Sequence, residues 1–203
     1  MGLSDPGTAG FWDSIYDDGT PPWDQDQAAP PLVRGVDALT VPAGARVFVP
    51  GCGLGHEALF LAAQGYAVTA VDFAAKAVAG LRLRAAKAGL CLDVVQADLF
   101  ELPTVMDDSF DLLVEHTCFC AIPLDRRADY VQVAARVLRP GASLLGLFFE
   151  VDGAPEEGPP FPTTRADVVH YFEPVFHIQN LEQPPDSFSG RRGREWLGHM
   201  LRR

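Results

Sequence analysis

Three closely spaced glycines and one acidic residue are the residues whose types and spacing point most directly to chemistry. Gly51, Gly53 and Gly55 follow one short apolar run, and Asp72 follows the next. Glycines let the backbone turn sharply and approach a ligand without a Cβ in the way. A carboxylate at the end of the second strand can accept hydrogen bonds from both hydroxyls of a ribose. The order strand, glycine turn, helix, strand and acid therefore predicts a cofactor that carries a nucleoside.

The spacing of these glycines argues against a dinucleotide. A dinucleotide-binding turn reads G-x-G-x-x-G, but here the last position is His56 and the third glycine comes one residue earlier. No Gly-Lys-Ser/Thr follows to hold a triphosphate. A tight βα turn or a helix-capping acid would explain either feature alone, whereas both within one β-α-β unit favour cofactor binding. S-adenosylmethionine, which has no phosphate, fits this variant, and the chain here resembles the class I S-adenosylmethionine-dependent methyltransferases.

Composition and charge predict one globular domain and argue against nucleic-acid partners and a membrane span. The 203 residues are 48% hydrophobic and 21% charged, which suits one globular domain. The formal charge of −11 would repel a phosphate backbone, so nucleic acid is not an expected partner. Apolar stretches such as 144–149 are far shorter than the roughly 18 residues that span a bilayer, so no membrane span is expected.

The N-terminus and the cysteines carry no targeting or metal signal. The first residues lack the basic and apolar regions of a secretory signal, and Pro6 spoils a myristoylation pattern, so a cytoplasmic location is expected. The four cysteines are too irregularly placed for a disulfide framework or a zinc cage. Cys118 and Cys120 would point the same way near a strand end, but buried thiols are expected there and no metal site is predicted.

Apolar periodicity predicts the elements that must position the glycine turn. Strands alternate with helices, which indicates an α/β fold: a doubly wound, Rossmann-like, mostly parallel seven-stranded sheet with helices on both faces. The expected strands are residues 45–49, 67–71, 92–96, 110–115, 142–149, 175–182 and 194–201. The expected helices are residues 11–16, 31–39, 56–64, 75–88, 125–138 and one that Thr163 or Thr164 caps and that ends near Phe172. We expect one domain over 1–203, with an aromatic helical lid in 1–40 and the core in 41–203.

Two breaker-rich segments interrupt this pattern. Pro140 and Gly141 cannot continue a helix, so the helix over 125–138 should end there and the fifth strand should start directly afterwards. The segment 153–162 is rich in proline and glycine and ends near the aromatic Phe161, which predicts a lid or a pocket wall.

Ligands of a doubly wound sheet collect beyond the carboxyl ends of its strands, where four segments should converge. They are Gly51–Gly55, Asp72–Phe73, Asp98–Leu99 and Glu115–Phe119. Asp98 could read the adenine amino group while Leu99 packs against the ring, or Asp98 could be a turn aspartate with no ligand.

Three aromatic residues stand near the N-terminus. Trp12 and Tyr16, four residues apart, would share one helix face, and Trp23 follows in a proline-rich loop. These rings could close over the cofactor and place aromatic walls near its sulfonium, an attraction of about 0.5 to 2 kcal/mol. The alternative is a helix that docks its apolar face on the core.

The order F-W-x-x-x-Y-x-x-G-x-x-P-W-D ahead of G-x-G-x-G resembles the thiopurine, thiol and halide methyltransferase family over nearly the whole chain. Further matching segments are Pro50–Gly53, Ala97–Asp98, Phe119–Pro123, Gly158–Phe161 and Arg191–Glu195. The resemblance implies that Trp12, Tyr16, Trp23, Gly51, Asp72, Asp98 and His116 occupy cofactor-binding positions. Plant relatives tend to carry tryptophan at Tyr16, and relatives carry tyrosine or arginine at His116. This histidine could be a base, a donor to the cofactor or a wall residue.

The resemblance implies methyl transfer from S-adenosylmethionine to a small thiol, thiopurine or halide, by in-line displacement. Such a reaction gains rate from desolvating and aligning the nucleophile, and a thiolate or halide needs no strong base, so no catalytic acid or base is named. The acceptor is expected between the N-terminal aromatics, Phe119 and Gly158–Phe161, with Arg191 or Arg192 as a source of positive potential. Alternatives are an oxygen or nitrogen acceptor, a nicotinamide-dependent oxidoreductase and a non-catalytic cofactor-binding module. A monomer is expected.

Overall fold

The computed structural model describes residues 5–17, 19, 21–154 and 157–203. Its strands are β1 (Arg46–Pro50), β2 (Ala67–Asp72), β3 (Asp93–Gln96), β4 (Phe110–His116), β5 (Leu138–Phe149), β6 (Phe176–Glu182) and β7 (Glu195–Arg202). Its α-helices are α1 (Ala9–Asp17), α2 (Pro30–Ala38), α3 (His56–Ala63), α4 (Ala75–Ala88), α5 (Arg127–Val137) and α6 (Arg165–Phe172). Within the described ranges, no helix has the length and apolarity needed to cross a bilayer.

The strands form one seven-stranded sheet in the order β3-β2-β1-β4-β5-β7-β6. The first five strands of this order are parallel, and β7 runs antiparallel to both β5 and β6. The order reverses between β1 and β4, where the crevice beyond the strand ends is the usual ligand site of such sheets. The predicted α/β class with a mostly parallel seven-stranded sheet is confirmed.

Apolar side chains cover both faces of the sheet. Leu113 and Phe148 of the strands pack with Tyr130 of α5 and Phe172 of α6 on one face. On the other face, a second buried cluster joins the sheet to the helices, with Val47, Val114, Leu32, Leu61 and Leu81 among its members. Burial on both faces explains why the central strands read as nearly continuous apolar runs.

The helix ends follow local sequence signals. Thr164 caps α6 in a capping box, in which its hydroxyl accepts from the Asp167 N–H and the Asp167 carboxylate accepts from the Thr164 N–H. Gly89, with φ of +66°, ends α4 in the left-handed conformation. The prediction that Thr163 or Thr164 caps this helix is therefore confirmed at Thr164.

The fifth strand starts directly after α5, as predicted, but at Leu138 and not at the predicted residue 142. The helix ends at Val137 as expected, but β5 begins immediately at Leu138, so Pro140 and Gly141 lie inside the strand. The reason is an irregular register, since Leu138 pairs with Phe110 and the next pair joins Ser143 to Leu112. Proline is tolerated at such a bulge because the ladder hydrogen bond is already missing there.

Candidate active site

The glycine turn lies between β1 and α3 and depends on left-handed backbone at three positions. Gly51, Gly53 and Gly55 have φ of +53°, +52° and +78°, a region that strongly favours glycine. The Cys52 N–H donates to the Val71 carbonyl across 3.0 Å, which ties the turn to β2. The sequence therefore places glycine where the backbone itself requires it.

Each glycine also has a close neighbour. A Cβ on Gly51 would lie 2.6 Å from Cys118 Sγ, and a Cβ on Gly53 would lie 3.1 Å from the Tyr16 hydroxyl. A Cβ on Gly55 would lie 2.3 Å from a methyl carbon of Leu81. Gly51 and Gly53 thus open towards the region of the candidate site, while Gly55 allows α3 and α4 to pack closely.

Asp72 joins the end of β2 to the glycine turn. One carboxylate oxygen accepts from the Gly53 N–H and the other from the Ala74 N–H, both across 2.9 Å. Burial raises the pKa of Asp72, although these two backbone donors favour its ionised form. A carboxylate oxygen can accept more than one hydrogen bond, so this geometry leaves acceptor capacity for a ligand.

A cavity of about 470 Å³ lies beyond the glycine turn. The predicted site residues that line it are Trp12, Tyr16, Trp23, Gly51, Gly53, Asp72, Phe73, Asp98 and Leu99. Gly55 and His116 are not among the lining residues. The structure thus brings most of the predicted residues together in one cavity, from segments far apart in sequence.

Asp98 has a local role as well as a place in the cavity wall. Its carboxylate accepts from the Phe100 N–H across 2.8 Å and so caps the short 3-10 turn Leu99–Glu101. Asp98 therefore caps this turn and also lines the cavity. Its contact with the adenine amino group stays a prediction.

The N-terminal aromatic rings form one cluster over the cavity. Trp23 contacts Trp12 and Tyr16 edge to face, with ring centroids 5.6 and 6.2 Å away. Burial raises the pKa of Tyr16, so its hydroxyl stays protonated. The Asp13 carboxylate accepts from the Lys76 N–H across 2.9 Å, which fixes α1 to the first turn of α4.

Comparison with known proteins agrees with this geometry. The sequence pattern of the family described as thiopurine S-methyltransferase matches residues 7–200. The chain belongs to this family. Thiocyanate methyltransferase 1 of Brassica oleracea is 30% identical over 192 residues, which cover 93% of this chain and 83% of the relative.

Solved structures share the fold of this member of the thiopurine S-methyltransferase family. One, from work on the conversion of a disulfide bond into a thioacetal group during echinomycin biosynthesis, has a TM-score of 0.80 at 23% identity and covers 96% of this chain and 92% of its own. Another is the 1,6-didemethyltoxoflavin-N1-methyltransferase of Burkholderia thailandensis with bound S-adenosylhomocysteine, with a TM-score of 0.74 at 20% identity over 100% of this chain and 92% of its own. The chain is an S-adenosylmethionine-dependent methyltransferase that acts on a small-molecule acceptor.

In this family member, His116 belongs to a buried polar network rather than to the cavity wall. Its Nδ1 lies 2.8 Å from a Glu57 carboxylate oxygen, and its Nε2 lies 3.1 Å from Arg191 Nη1. Arg191 also donates to the Trp23 carbonyl across 2.9 Å and contacts Glu195 across 3.4 Å. Arg191 lines the cavity, whereas Arg192 is exposed and does not.

Phe119 does not take the predicted place beside the acceptor. Its ring is buried in the core and contacts Phe148 and Phe172, with centroids 5.9 and 5.2 Å away. Phe149, Pro159 and Pro160 line the cavity instead. The position of Phe119 directly after β4 predicts a ring at the site, but the chain turns at that point and directs the ring into the core.

Sequence reasoning missed Arg127, which holds the loop that carries Pro159 and Pro160. This buried guanidinium donates to the Pro162 carbonyl across 2.9 Å and to the Thr163 hydroxyl across 2.7 Å. The Phe161 N–H donates to the Cys120 carbonyl across 2.7 Å. Part of the predicted pocket wall over 153–162, namely residues 155 and 156, lies outside the described residues. A basic residue in the first turn of a helix gives no sequence signal for such a role.

The three cysteines near the site are buried and have thiols that resist ionisation. Cys118 and Cys120 line the cavity and Cys52 lies within the glycine turn. Burial raises the pKa of Cys120 to about 12 and the pKa of Cys118 well above its usual value. These thiols are therefore poor nucleophiles beside a methyl donor.

Proposed function

We propose that this enzyme transfers a methyl group from S-adenosylmethionine to a small, soft nucleophile: a thiol, a thiopurine or a halide. The cavity wall carries this proposal, because the described residues that line it include no histidine, lysine or glutamate, and its two acids, Asp72 and Asp98, accept from backbone N–H groups. A thiolate or halide already holds the lone pair that attacks the methyl carbon, so it requires no general base. A general base would accelerate methyl transfer to a hydroxyl or amine acceptor much more.

For the cofactor, we infer an orientation from the wall residues. The amino acid end lies against Gly51 and Gly53, the ribose hydroxyls donate to Asp72, and the adenine packs between Phe73 and Leu99 near Asp98. The sulfonium then lies under the rings of Trp12, Tyr16 and Trp23, where attraction between a cation and an aromatic face contributes about 0.5 to 2 kcal/mol. Gly55 and His116 support this site from behind, through helix packing and through the buried network.

For the acceptor, we infer a position against Phe149, Pro159, Pro160 and the guanidinium of Arg191. Apolar walls remove water from the nucleophile, which strengthens its attack on a positively charged donor. Arg191 supplies positive potential in this low-dielectric region, which favours an anionic acceptor such as a thiolate or a halide. The Brassica relative's acceptor, thiocyanate, is an anion of this kind.

The test is methyl transfer from labelled S-adenosylmethionine to a panel of an alkyl thiol, a thiopurine, thiocyanate and iodide. We expect turnover of at least one of these, and in Arg191→Met a decrease in kcat/KM that is about tenfold larger for anionic than for neutral acceptors, because Arg191 also bonds to the Trp23 carbonyl and its loss affects every acceptor. Arg192→Met is the matched control, because Arg192 is exposed and bonds only to the Ser187 carbonyl among the described residues. Turnover of oxygen or nitrogen acceptors alone would contradict the proposal.

We also propose that the enzyme acts as a cytoplasmic monomer on free small molecules, and neither on nucleic acid nor at a membrane. The formal charge of −11 supports the part of this proposal that concerns nucleic acid and membranes, because it disfavours both nucleic acid and anionic lipid surfaces. Light scattering after size exclusion should give the mass of one chain, and a dimer mass would contradict the monomer.

A further inference from the structure

His116 is bonded to two charged side chains, and each of them holds the same segment of the chain. We call residues 21–29 the lid segment, because it carries Trp23 at the cavity wall and leads into α2. Arg191 Nη2 donates to the Trp23 carbonyl across 2.9 Å near the start of this segment. A Glu57 carboxylate oxygen accepts from the Ala29 N–H across 3.1 Å at its end. Through these two partners, His116 reaches both ends of the lid segment.

The hydrogen-bond pattern fixes the tautomer of His116. Arg191 has only donors, so the contact between Arg191 Nη1 and His116 Nε2 requires that Nε2 accept. His116 Nδ1 then carries the proton and donates to Glu57. In this neutral form one ring bonds to Arg191 and Glu57 at the same time.

We propose that His116 is a positioning residue for methyl transfer, which holds the lid segment over the cavity through Arg191 and Glu57. The proposal rests on the proposed function, because Trp23 is the lid residue that would meet the cofactor and its acceptor. The network fixes the backbone of Trp23, and the ring of Trp23 in turn contacts Trp12 and Tyr16. His116 therefore affects cofactor binding without contact with the cofactor.

The geometry also makes the lid sensitive to pH. A second proton on His116 would place an N–H opposite the Arg191 N–H and would oppose the positive charge of Arg191, so the hold on Trp23 would weaken. The charged groups that face His116 are Glu57 of α3, Glu195 at the start of β7, Arg191 before β7, and the neighbouring Glu115 of β4. Protonation of His116 therefore favours an open lid.

Two carboxylates near His116 favour its protonated form. Burial lowers the pKa of His116, but Glu57 and Glu195 outweigh burial and the repulsion from Arg191, so the pKa is raised above its usual value. A second histidine also contacts the lid segment, because His56 Nε2 lies 2.8 Å from the Asp24 carboxylate and 3.2 Å from Arg84 Nη1. The pH profile of a His116 variant that keeps His56 therefore identifies the contribution of His116.

Two substitutions of His116 separate its bonds from its charge. His116→Leu removes both bonds, while His116→Gln keeps one donor and one acceptor but cannot be protonated near neutral pH. His199→Gln is the matched control, because His199 is partly buried on β7 and bonds to the Ser143 hydroxyl across 3.1 Å, away from the lid segment. Thermal unfolding establishes that each variant is folded.

The primary readout is hydrogen exchange of the lid segment in the free protein, which needs no substrate. In His116→Leu we expect exchange in residues 21–29 to be about tenfold faster and S-adenosylhomocysteine to bind about tenfold more weakly. In the wild type and in His199→Gln, the protection of the lid segment, taken relative to the intrinsic exchange rate at each pH, should decrease and S-adenosylhomocysteine should bind more weakly as pH falls from about 8 to about 6. In His116→Gln this pH dependence should be lost.

Unchanged exchange in folded His116→Leu, or a full pH dependence in His116→Gln, would overturn the positioning role. If His116→Leu does not fold, the pH profile of His116→Gln decides alone. A wild type that turns over no sulfur or halide acceptor would contradict the proposed function, while the exchange measurement would still test the hold on the lid segment. The two failures are therefore distinguishable.

Discussion

The Asp72 carboxylate accepts a hydrogen bond from the Gly53 N–H across 2.9 Å, so the acid after β2 and the turn after β1 form one unit. This bond explains why the two features occur together in the sequence. The turn needs an acceptor for its exposed N–H, and the acid needs donors that compensate its burial. In our proposed cofactor orientation, the same acid also accepts from the ribose.

Replacement of Asp72 tests the cofactor orientation. We expect Asp72→Ala to weaken S-adenosylhomocysteine binding by about 1 to 3 kcal/mol, because charge-assisted bonds to the ribose are lost. Asp72→Asn, which keeps an acceptor for one backbone N–H, should lose less. Calorimetric titration measures both, with Asp93→Ala as the control because Asp93 is an exposed acid on the adjacent strand. Equal affinity of the wild type and Asp72→Ala would remove Asp72 from the site.

Gly55 and Gly44 have nearly the same backbone conformation, so alanine at each position separates the cost of backbone strain from the cost of a packing clash. Gly55 has φ of +78° and its added Cβ would meet Leu81 at 2.3 Å, whereas exposed Gly44 has φ of +75° and its added Cβ would meet no atom of the described residues within 4 Å, apart from those of its two chain neighbours. Alanine at either position carries a backbone cost of about 1 kcal/mol. We expect Gly55→Ala to lose about 1 to 3 kcal/mol more than Gly44→Ala, because Leu81 is fully buried and cannot move aside.

Urea unfolding of the two glycine variants measures this difference. A similar loss in both would mean that α4 gives way and that Gly55 is needed only for its backbone conformation. A larger loss in Gly55→Ala would show that the early third glycine serves the packing of α3 against α4.

The sequence was sufficient to predict features that depend on neighbouring residues. It was insufficient for features that depend on contacts between segments far apart in the chain. The segment from Gly51 to Asp72 was readable because one β-α-β unit has a nearly fixed length and its glycines meet a backbone requirement. The prediction for Phe119 is wrong because an aromatic after a strand can face the site or the core, and only the packing of α5 and α6 decides. The sequence points to His116, but its partners Glu57 and Arg191 are distant in sequence and give no joint signal.

The junction between α5 and β5 shows the same limit. Pro140 and Gly141 break helices, yet such residues also occur at strand bulges, and only the pairing of Leu138 with Phe110 distinguishes the two cases. Arg127 was missed because its carbonyl and hydroxyl partners come from the loop near Thr163, which the sequence gives no reason to bring close.

Glu115 provides a prediction about stability and pH. This fully buried carboxyl accepts from the Phe119 N–H across 2.8 Å, and its second oxygen has no partner among the described residues. Burial raises the pKa of Glu115 to about 7, although the Phe119 N–H and His116 oppose this. The folded state therefore binds a proton that the unfolded state, with a glutamate pKa of about 4.3, has already released.

The direction in which stability changes with pH follows from this difference in bound protons. The contribution of Glu115 is fully present below about pH 4.3 and is lost as pH rises towards 7, a loss of about 1 to 3 kcal/mol in the free energy of unfolding. His116, whose pKa is also raised, adds to this decrease in stability as pH rises.

We therefore expect urea unfolding of the wild type between about pH 5 and pH 8 to show falling stability, and Glu115→Gln to show a flatter profile. Glu101→Gln, at an exposed position, should follow the wild type. Parallel profiles for the wild type and Glu115→Gln would mean that Glu115 stays ionised in the folded protein.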